Sequence, residues 1–504
     1  MKLNIKNTII EASTYAFIVL YTYAAFSKLA AYESFRIQLG QSPLLSAYAG
    51  WIAWCIPVVE ILLALMLMFR QTRFFAFVGS YALMIMFTVY IIIILNYSEF
   101  IPCSCGGVLE EMTWNQHLMF NIVFCIMAVI AIFLSEFKKS SGNNREKNRY
   151  LVVLLFFTTL FAGAIVTGLY IKSEQLIHEE NNFIRRYPPH LYTKSERLDL
   201  KHEGYYFAGQ DKDNIILGNN ASPLSVLVLN KKLEVIGKHT IQLDNYKLPY
   251  RSAVVRVIEN TFFLTDGTVP CIFRGSTEDW KGKQLKTNKV YFSVFEPIDS
   301  VSAFIRSREG KTRESIVGKV NFGTHSKSLN WNKNILKKQI DGIFDTDGML
   351  RYDAKNKAMV YTYCYRNQFM VVDRNLKLNY RGKTIDTTTH AKIKIDTTST
   401  GDRKMAAPPF MVNKLSAFSD NRLYINSELR GHYESLKLWK QTVAIDVYNT
   451  QSKKYEYSFY VYRNKGEKPQ AMYVVKDKVY FLFKKEIVAY TKDTVKTTSG
   501  KHQE

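Results

Sequence analysis

The chain begins with long apolar runs separated by short polar segments, and after about residue 172 it changes to short stretches in which apolar and polar residues alternate. Five apolar runs are long enough to cross a bilayer as helices of about 20 residues. They cover roughly residues 9–31, 44–69, 74–96, 116–136 and 150–171. This pattern predicts a membrane α-helical bundle of four helices, followed by a fifth helix that anchors the rest of the chain.

The first apolar run is long and contains Glu11 and Lys28, and no small-residue cleavage site follows it, so we interpret it as a retained helix and not as a signal peptide. Composition then divides the whole chain. We expect a four-helix membrane domain over 1–137, a basic cytoplasmic linker over 138–149, the fifth helix over 150–172, a charged and helical neck over 173–190, an all-β domain over 191–493 and a polar tail over 494–504.

The polar part of the chain predicts an all-β domain. Runs such as SVLVLN near 225, TVAIDVYN near 442 and KVYFLFKKEIVAYT near 478 alternate with period two, as strands do. Strand pairs recur at intervals of about 50 residues, which is the length of one four-stranded propeller blade. The spacing favours a β-propeller of about six blades over a pair of β-sandwiches.

Basic residues in the short loops predict the orientation of the helices. All but one of those near the spans lie on the side that also carries the N-terminus, which the positive-inside rule makes cytoplasmic. They are Lys2, Lys6, Arg70, Arg73, Lys138, Lys139, Arg145, Lys147 and Arg149, with Arg36 alone on the other side. Five crossings then place the β-domain, and the loop between the third and fourth helices, on the outer face.

The formal net charge of +23 does not indicate a nucleic-acid-binding protein. Lys and Arg are scattered among Asp and Glu, and no basic run is interleaved with aromatic residues. A basic domain next to an anionic membrane surface explains the charge more simply.

Three polar side chains inside or beside the predicted spans are candidates for function. Glu60 lies well within the second span, where an ionisable group is costly, so it requires a partner, and Lys28 is the nearest one if its long side chain reaches inward. Glu60 is either a structural buried acid or a residue that handles protons or contacts a cofactor. His117 opens the fourth span and is either an interfacial hydrogen-bonding residue or a catalytic one.

The outer loop Pro102-Cys103-Ser104-Cys105-Gly106-Gly107 carries the residues most suited to chemistry. A disulfide between Cys103 and Cys105 would close a very small ring, and strained exposed disulfides are the reactive kind. The pair therefore predicts either thiol-disulfide exchange, with Cys103 and Cys105 as catalytic residues, or a static staple of the loop. No second Cys or His pair lies nearby in the sequence to complete a metal site.

The other four cysteines are weaker candidates. Cys55 and Cys125 lie at similar depth in the second and fourth spans and are a candidate relay to the loop pair, although single buried cysteines are usually inert. Cys271 and Cys364 are far apart in the β-domain and are expected to be packed or unpaired.

The first 137 or so residues resemble the DoxX-like family of methylamine-utilisation protein MauE. The resemblance rests on Phe26-Ser27-Lys28-Leu29, on Pro57 with Glu60, on Arg70 to Arg73, and on the Cys103 to Gly107 loop, in this order. It implies a four-helix bundle of the bacterial inner membrane that takes part in periplasmic disulfide handling, as proposed for MauE in maturing the cysteine-rich small subunit of methylamine dehydrogenase.

The four-helix plan is also similar to that of vitamin K epoxide reductase, whose relatives pass electrons from thiols to a quinone. A quinone is therefore the one cofactor that resemblance implies. The spans of this chain contain no C-x-x-C motif, so its own residues do not predict quinone chemistry.

Two functions remain open at this point. The first is an inner-membrane thiol-disulfide redox protein that exchanges disulfides through Cys103 and Cys105 with a periplasmic thioredoxin-like or client protein, bound by the propeller. The second is a non-enzymatic membrane-anchored propeller for ligand recognition or complex assembly, in which the cysteine loop is structural. Transport is less favoured, because the spans offer few polar residues and no pair of broken helices.

Overall fold

A computed structural model of the chain describes residues 5–41, 49–97, 112–135, 144–177, 181–285, 290–323, 327–397, 401 and 403–493. The chain divides into two compact units. The membrane unit comprises Met1–Glu179 with Ile393–Pro409, and the propeller unit comprises Glu180–Lys392 with Phe410–Glu504.

Six helices are described in the membrane unit, and five of them are long and apolar enough to cross a membrane. In chain order they are α1 (Ile5–Ala30), α2 (Tyr32–Gln41), α3 (Ala49–Met68), α4 (Arg73–Tyr97), α5 (Trp114–Leu134) and α6 (Asn144–Ile177). The five predicted spans are confirmed, and the protein is a multi-pass membrane protein. Aromatic and small residues, among them Phe17, Phe77 and Ala128, form the common core of the long helices.

The short helix α2 was not predicted, because its ten residues contain no long apolar run and were interpreted as loop. Phe35 and Leu39 are one helical turn apart and are both buried against Ala53 of α3. Two apolar residues at this spacing are enough to hold a short helix against a neighbour, but they are too few to reveal it in a hydropathy pattern.

The propeller unit consists of four-stranded antiparallel blades, which we number I to VI in order around the ring. Blade I contains the first strand, β1 (Tyr192–Asp199), and the last three strands. Blade II is β2 (Tyr205–Asp211), β3 (Asn214–Asn219), β4 (Ser225–Leu229) and β5 (Val235–Thr240), with the short β6 (Gln242–Leu243) after it. Blade III is β7 (Val254–Ile258), β8 (Thr261–Asp266), β9 (Cys271–Ser276) and β10 (Lys281–Gln284).

The remaining blades follow the same plan. Blade IV is β11 (Val294–Asp299), β12 (Ser302–Arg308), β13 (Ser315–Phe322) and β14 (Lys327–Asn332), and blade V is β15 (Gly348–Asp353), β16 (Ala358–Tyr363), β17 (Gln368–Asp373) and β18 (Leu378–Lys383). The hairpin β19 (Ile395–Thr397) and β20 (Arg403–Met405) comes next. Blade VI is β21 (Asn413–Ser419), β22 (Arg422–Ser427), β23 (Thr442–Asn449) and β24 (Lys454–Tyr462), with the short helix α7 (Leu436–Gln441) before β23. Blade I is completed by β25 (Ala471–Val475), β26 (Lys478–Leu482) and β27 (Glu486–Lys492).

The ring of blades is closed by strands from the two ends of the domain. The first strand, β1, pairs antiparallel with the last, β27, from Tyr192 opposite Lys492 to Asp199 opposite Glu486. The innermost strands contact one another in the order β25, β2, β7, β11, β15, β21 and back to β25. The predicted all-β domain is therefore a propeller of six blades in the described residues, and the predicted strands are present.

Each of the six interfaces between neighbouring blades has its own apolar cluster. Phe263 of blade III packs with Phe295 and Phe322 of blade IV, for example. Because a single blade exposes both faces of its sheet, it is stable only between two neighbours, and the ring supplies a neighbour on both sides of every blade.

One glycine sets the closest approach between two blades. Gly209 in β2 pairs with Val257 in β7 in a parallel register, which joins blades II and III into one continuous sheet. Its φ is +149°, and a Cβ atom built there would lie 2.0 Å from the Val257 carbonyl oxygen. Only glycine fits this junction, because any side chain would separate the two innermost strands.

The predicted helical neck over 173–190 is helical only as far as Ile177, and residues 181–190 contain no helix. Phe183 packs with Val412 and Leu429 of the propeller unit, and Arg185 is buried there as well. The prediction of a helix was wrong over residues 181–190, because Arg185, which looks like part of a solvated charged segment in the sequence, has buried partners about 250 residues further along the chain.

The hairpin β19–β20 is a second departure from the predicted division of the chain. It falls within the predicted 191–493 domain, but its residues cluster with the membrane helices. Within the membrane unit, Asp396 of β19 forms an ion pair with Arg36 of α2. Arg36 is the isolated basic residue in the charge pattern of the loops, and this contact gives it a carboxylate partner.

Arg185 is held in the propeller unit by charged and polar partners on every side. Its Nε donates to Asp446 Oδ1 at 2.7 Å, its Nη1 to Glu434 Oε1 at 3.0 Å and its Nη2 to the Leu429 carbonyl oxygen at 3.0 Å. The guanidinium also lies 4.8 Å from the centre of the Phe183 ring. Such a buried ion pair stabilises the fold only while both the cation and its carboxylate partners are present.

We expect Arg185→Met to lower the free energy of unfolding by about 3–5 kcal/mol, because Asp446 and Glu434 would be left buried without a cation. The control is Arg186→Met: Arg186 is the exposed neighbour, and its side chain donates to the Tyr455 carbonyl oxygen and lies over the Tyr455 ring without a charged partner among the described residues, so the loss should stay below about 1 kcal/mol. Thermal unfolding of the purified chain in detergent, followed by fluorescence, compares the two. Equal losses would contradict the assigned role of Arg185.

The carboxylate of Asp266, fully buried at the end of β8, organises the turn that follows it. It accepts hydrogen bonds from the amides of Arg251 and Ser252, both at 2.7 Å, and from the Thr268 hydroxyl at 2.7 Å. Burial alone would raise the pKa of Asp266, but these donors outweigh it and lower the pKa to about 2.

The lowered pKa makes the stability depend on pH. Since the unfolded carboxyl group ionises near its ordinary value of 3.8, Asp266 stabilises the fold fully above about pH 4, and this contribution is lost as the pH falls toward about 2. In Asp266→Asn the melting temperature should therefore fall less between pH 4 and pH 2 than in the unchanged protein. An equal fall in both proteins would show that Asp266 does not carry this dependence.

Candidate functional site

The membrane unit contains a group of polar side chains from four helices, which we call the polar cluster; its members are Tyr21, Lys28, Glu60, Ser80, His117, Asn121 and Cys125. Tyr21 of α1, Glu60 of α3, Ser80 of α4 and Asn121 of α5 are each at most 3% exposed. Polar groups inside an apolar bundle are costly unless they are paired, and they mark sites of function more often than apolar positions do. The cluster is therefore the candidate site of the membrane unit.

Lys28 and Glu60 form the charged part of the polar cluster. Lys28 Nζ lies 2.5 Å from Glu60 Oε1, and the two side chains are 13% and 2% exposed. The ammonium group also lies 5.8 Å from the centre of the Phe35 ring in α2. The expected partnership of these two residues is present in the structure, because the lysine side chain reaches inward from the end of α1.

Five members of the polar cluster lie in rows along α1 and α5. His117, Asn121 and Cys125 are spaced four residues apart and so share one face of α5, while Tyr21 and Lys28 are seven residues apart on α1. The spacing of 117, 121 and 125 was the sequence signal that could have revealed this row.

Several polar atoms of the cluster have no hydrogen-bond partner among the described residues. They are Tyr21 Oη, Glu60 Oε2, Ser80 Oγ, His117 Nδ1 and Asn121 Nδ2. Tyr21 Oη and Ser80 Oγ approach each other without completing a hydrogen bond. Free donors and acceptors around a carboxylate and an imidazole can bind a small polar molecule or pass a proton.

His117 lies in the first turn of α5, directly after the cysteine loop in the chain. The helix starts with a capping box in which Thr113 accepts a hydrogen bond from the Gln116 amide and Gln116 accepts one from the Thr113 amide. The His117 ring stacks on Trp114 with 6.2 Å between ring centres. This cap fixes where the helix begins and therefore where the imidazole lies.

Cys103 and Cys105 lie outside the described residues, so their geometry stays a prediction. The four described cysteines are free thiols. Cys125 is buried in the bundle core, whereas Cys55 is exposed on α3, so the two candidate relay residues lie in different environments. Each of these two cysteines is a single free thiol, whereas reduction of a quinone requires a pair of thiols. We therefore derive no step through a quinone.

The two cysteines of the propeller unit belong to separate blades. Cys271 is buried in the cluster between blades II and III. Cys364 lies at the end of a strand in blade V, where burial raises the pKa of its thiol to about 12, with a further contribution from the charge of Asp347. A thiol with so high a pKa is not a nucleophile near neutral pH.

The propeller unit contains a second candidate site, a central cavity of about 1230 Å³ lined by the innermost strands. Near the middle of these strands, Arg256, Glu296 and Arg351 come from the consecutive blades III, IV and V. Burial raises the pKa of Glu296, and the charges of Arg351 and Arg256 oppose this shift. Burial likewise lowers the pKa of Arg351, opposed by Glu296.

No single stretch of the sequence indicates this cavity, because Arg256, Glu296 and Arg351 are isolated members of strands and lie 40 and 55 residues apart in the chain. Aligning the six blade repeats on their innermost strands would have placed them at equivalent positions. Among the described residues of both units, no three His, Cys, Asp or Glu side chains lie together in a way that could hold a metal ion.

The fold and the two sites define a class of protein: a multi-pass helical membrane bundle joined to a β-propeller. Residues 6–134, which contain the whole polar cluster, match the family model of methylamine utilisation protein MauE. The match confirms the family resemblance of this part of the chain and covers none of the propeller.

Solved structures similar to the chain show low sequence identity and low structural scores. A DUF4221 family member from Bacteroides vulgatus is 10% identical and covers 62% of this chain and 99% of its own, with a TM-score of 0.39. The Cps50 (Swd1) β-propeller domain of Myceliophteria thermophila is 7% identical, with coverage of 60% and 100% and a TM-score of 0.30. Among curated proteins, no sequence matches the chain. The propeller assignment therefore depends on the strand pairing alone.

The polar cluster yields a prediction about stability. Glu60→Gln leaves Lys28 without its counter-ion and should cost about 3–5 kcal/mol, whereas the double variant Lys28→Met with Glu60→Gln should cost less than the sum of the single changes. The matched control is Glu11→Gln, because Glu11 pairs with Arg70 at 3.9 Å in an exposed position. Its effect should stay below about 1 kcal/mol.

Thermal unfolding in detergent measures all four variants against the unchanged protein. Additive losses from Lys28→Met and Glu60→Gln, or a loss in Glu11→Gln as large as in Glu60→Gln, would contradict a coupled buried pair.

Proposed function

We propose that the membrane unit is a thiol-disulfide redox protein of the bacterial inner membrane, with Cys103 and Cys105 as its exchanging pair. The observation that carries the proposal is the polar cluster, which lies inside the region similar to MauE and includes His117, a residue one short segment after the cysteine loop in the chain. Acidic, imidazole and phenol groups in an apolar core are suited to a reaction that moves protons together with electrons.

The exchange requires no additional oxidant or reductant beyond a partner dithiol. A thiolate of the partner attacks one sulfur of the Cys103–Cys105 disulfide and forms a mixed disulfide, and the other loop sulfur leaves as a thiolate. The second partner thiol then attacks its own sulfur in the mixed disulfide. The partner becomes a disulfide, and the loop becomes a dithiol after accepting two electrons and two protons; the reverse reaction restores it.

The polar cluster supports the proton part of this exchange. Glu60 has one oxygen without a hydrogen-bond partner among the described residues, and His117 Nδ1 is likewise unpartnered. We propose that these groups take up and return the protons that the loop thiols exchange, with Lys28 holding Glu60 in place. In this role Glu60 and His117 are positioning and proton-handling residues, and the sulfurs are the reacting atoms.

The proposal also states which side of the membrane the cysteine loop and the propeller face. By the positive-inside rule, the cysteine loop and the propeller face the periplasm, where disulfides persist. The partner would be a periplasmic thioredoxin-like or client protein, and the propeller would bind it. A role in methylamine metabolism would require that this client be part of that system.

Cys103→Ser or Cys105→Ser tests the proposal, because removing one sulfur of the pair leaves the other unable to resolve a mixed disulfide. One of the two variants should accumulate a disulfide-linked adduct with a periplasmic protein after acid quenching and thiol alkylation of whole cells. Non-reducing electrophoresis and mass spectrometry identify the adduct.

Cys55→Ser is the matched control, since Cys55 is an exposed free thiol on a helix and should trap nothing. If neither loop variant forms an adduct, and the loop cysteines keep the same oxidation state in reducing and oxidising media, then they are a structural staple and the redox proposal fails.

A second candidate function is ligand recognition by the membrane-anchored propeller, with a structural cysteine loop. The central cavity favours it, because a space of about 1230 Å³ lined by charged side chains is large enough for a small molecule.

A further inference from the structure

The central cavity has two chemically different halves. Near the middle of the innermost strands the lining includes one ring of six residues, and at or beyond the ends of these strands it includes further charged residues of both signs, among them Asp211, Asp420 and Lys476. In order from blade I to blade VI the six residues of the ring are Tyr473, Phe207, Arg256, Glu296, Arg351 and Ala417. Blades III to V therefore present charged groups, while blades VI, I and II present a small residue and two aromatic rings, which stack with 5.4 Å between their centres.

Within this ring of residues, the charged half carries more positive than negative charge. Two guanidinium groups face one carboxylate, and Glu296 forms no direct ion pair with Arg256 or Arg351 in the described part of the unit. Glu296 Oε1 instead accepts a hydrogen bond from the Tyr352 amide at 3.2 Å. Both arginines therefore face the cavity without a carboxylate in contact, and an uncompensated guanidinium in a partly enclosed site favours the binding of an anion.

The arginines are held by the backbone and keep donors available. Arg351 Nε donates to the Ser416 carbonyl oxygen and Nη1 to that of Leu350, both at 2.9 Å. Arg256 Nη1 donates to the Phe207 carbonyl oxygen at 3.3 Å. These bonds orient both guanidinium groups. They leave Nη2 of each without a hydrogen-bond partner among the described residues, so these nitrogens are available to donate hydrogen bonds to an oxyanion.

We propose that the central cavity of the propeller binds a small organic carboxylate, with Arg256 and Arg351 donating to the carboxylate and the half formed by Tyr473, Phe207 and Ala417 contacting the body of the ligand. Glu296 accepts a hydrogen bond from a hydroxyl or amide group of the same ligand. The rings and the small residue give room for an organic body, which inorganic phosphate lacks. The proposal names a ligand class for the second candidate function and is independent of the cysteine loop.

The test is binding of D-glucuronate and benzoate to the full chain in detergent, measured by calorimetry, with D-glucose, benzamide and inorganic phosphate as comparisons. At least one carboxylate should bind, and its uncharged analogue and phosphate should bind at least about tenfold more weakly. Arg351→Gln and Arg256→Gln should each weaken carboxylate binding about tenfold or more. Lys338→Gln, which removes a surface lysine paired with Glu314 at 2.7 Å, should bind as the unchanged protein does.

Glu296→Gln separates a binding role from a loss of folding. Because it removes the negative charge between the two arginines, affinity should rise for benzoate, which has no hydroxyl or amide group to donate to Glu296, and a damaged fold cannot produce this rise. The proposal is overturned if neither carboxylate binds, if phosphate or the uncharged analogues bind as well, or if Glu296→Gln weakens binding and the arginine variants do not. Trapping through Cys103 or Cys105 should be unchanged in Arg351→Gln, so failure here is distinguishable from failure of the redox proposal.

Discussion

The membrane unit depends on one constraint: a carboxylate placed inside an apolar helical bundle must keep a cation beside it. Glu60 is 2% exposed, and Lys28 reaches it from another helix at 2.5 Å. An ion in a hydrocarbon environment without such a partner is costly. The pair therefore connects α1 to α3, and the other polar groups of the core lie around it because this is where the bundle already tolerates polarity.

The propeller unit depends mainly on apolar packing between blades. Six clusters of aliphatic and aromatic side chains fill the spaces between blades. Two of its charged sites differ in how their charge is compensated: Arg185, which holds the segment before β1, has two carboxylate partners, whereas Arg351 at the central cavity has no carboxylate in contact among the described residues. The charge of Arg185 is fully compensated, and its role is structural. The charge of Arg351 is not compensated, and this distinguishes a binding site from a structural ion pair.

Local patterns in the sequence predicted local structure well. Helices of about 20 apolar residues and strands with period-two alternation were both identified, and the spacing of strand pairs indicated the number of blades. The helix α2 was not predicted, because only Phe35 and Leu39 hold it against its neighbour. The burial of Arg185 was not predicted, because its partner Asp446 lies 261 residues away in the chain. The cavity arginines were missed for the same reason: only the completed ring brings residues of different blades together.

The pairing of β1 with β27 has a consequence for how the domain forms. The outermost strand of blade I leaves the ribosome first and its partner last, so blade I cannot be completed until residues up to Lys492 have been made. Until then β1 remains an unpaired strand, and the apolar face of blade VI that packs on blade I remains uncovered, so that both could associate with other chains. Contacts so distant along the chain also make ring closure slow. A protein built in this way relies on protection of its nascent chain, and any shortening before Glu486 would leave a permanently open ring.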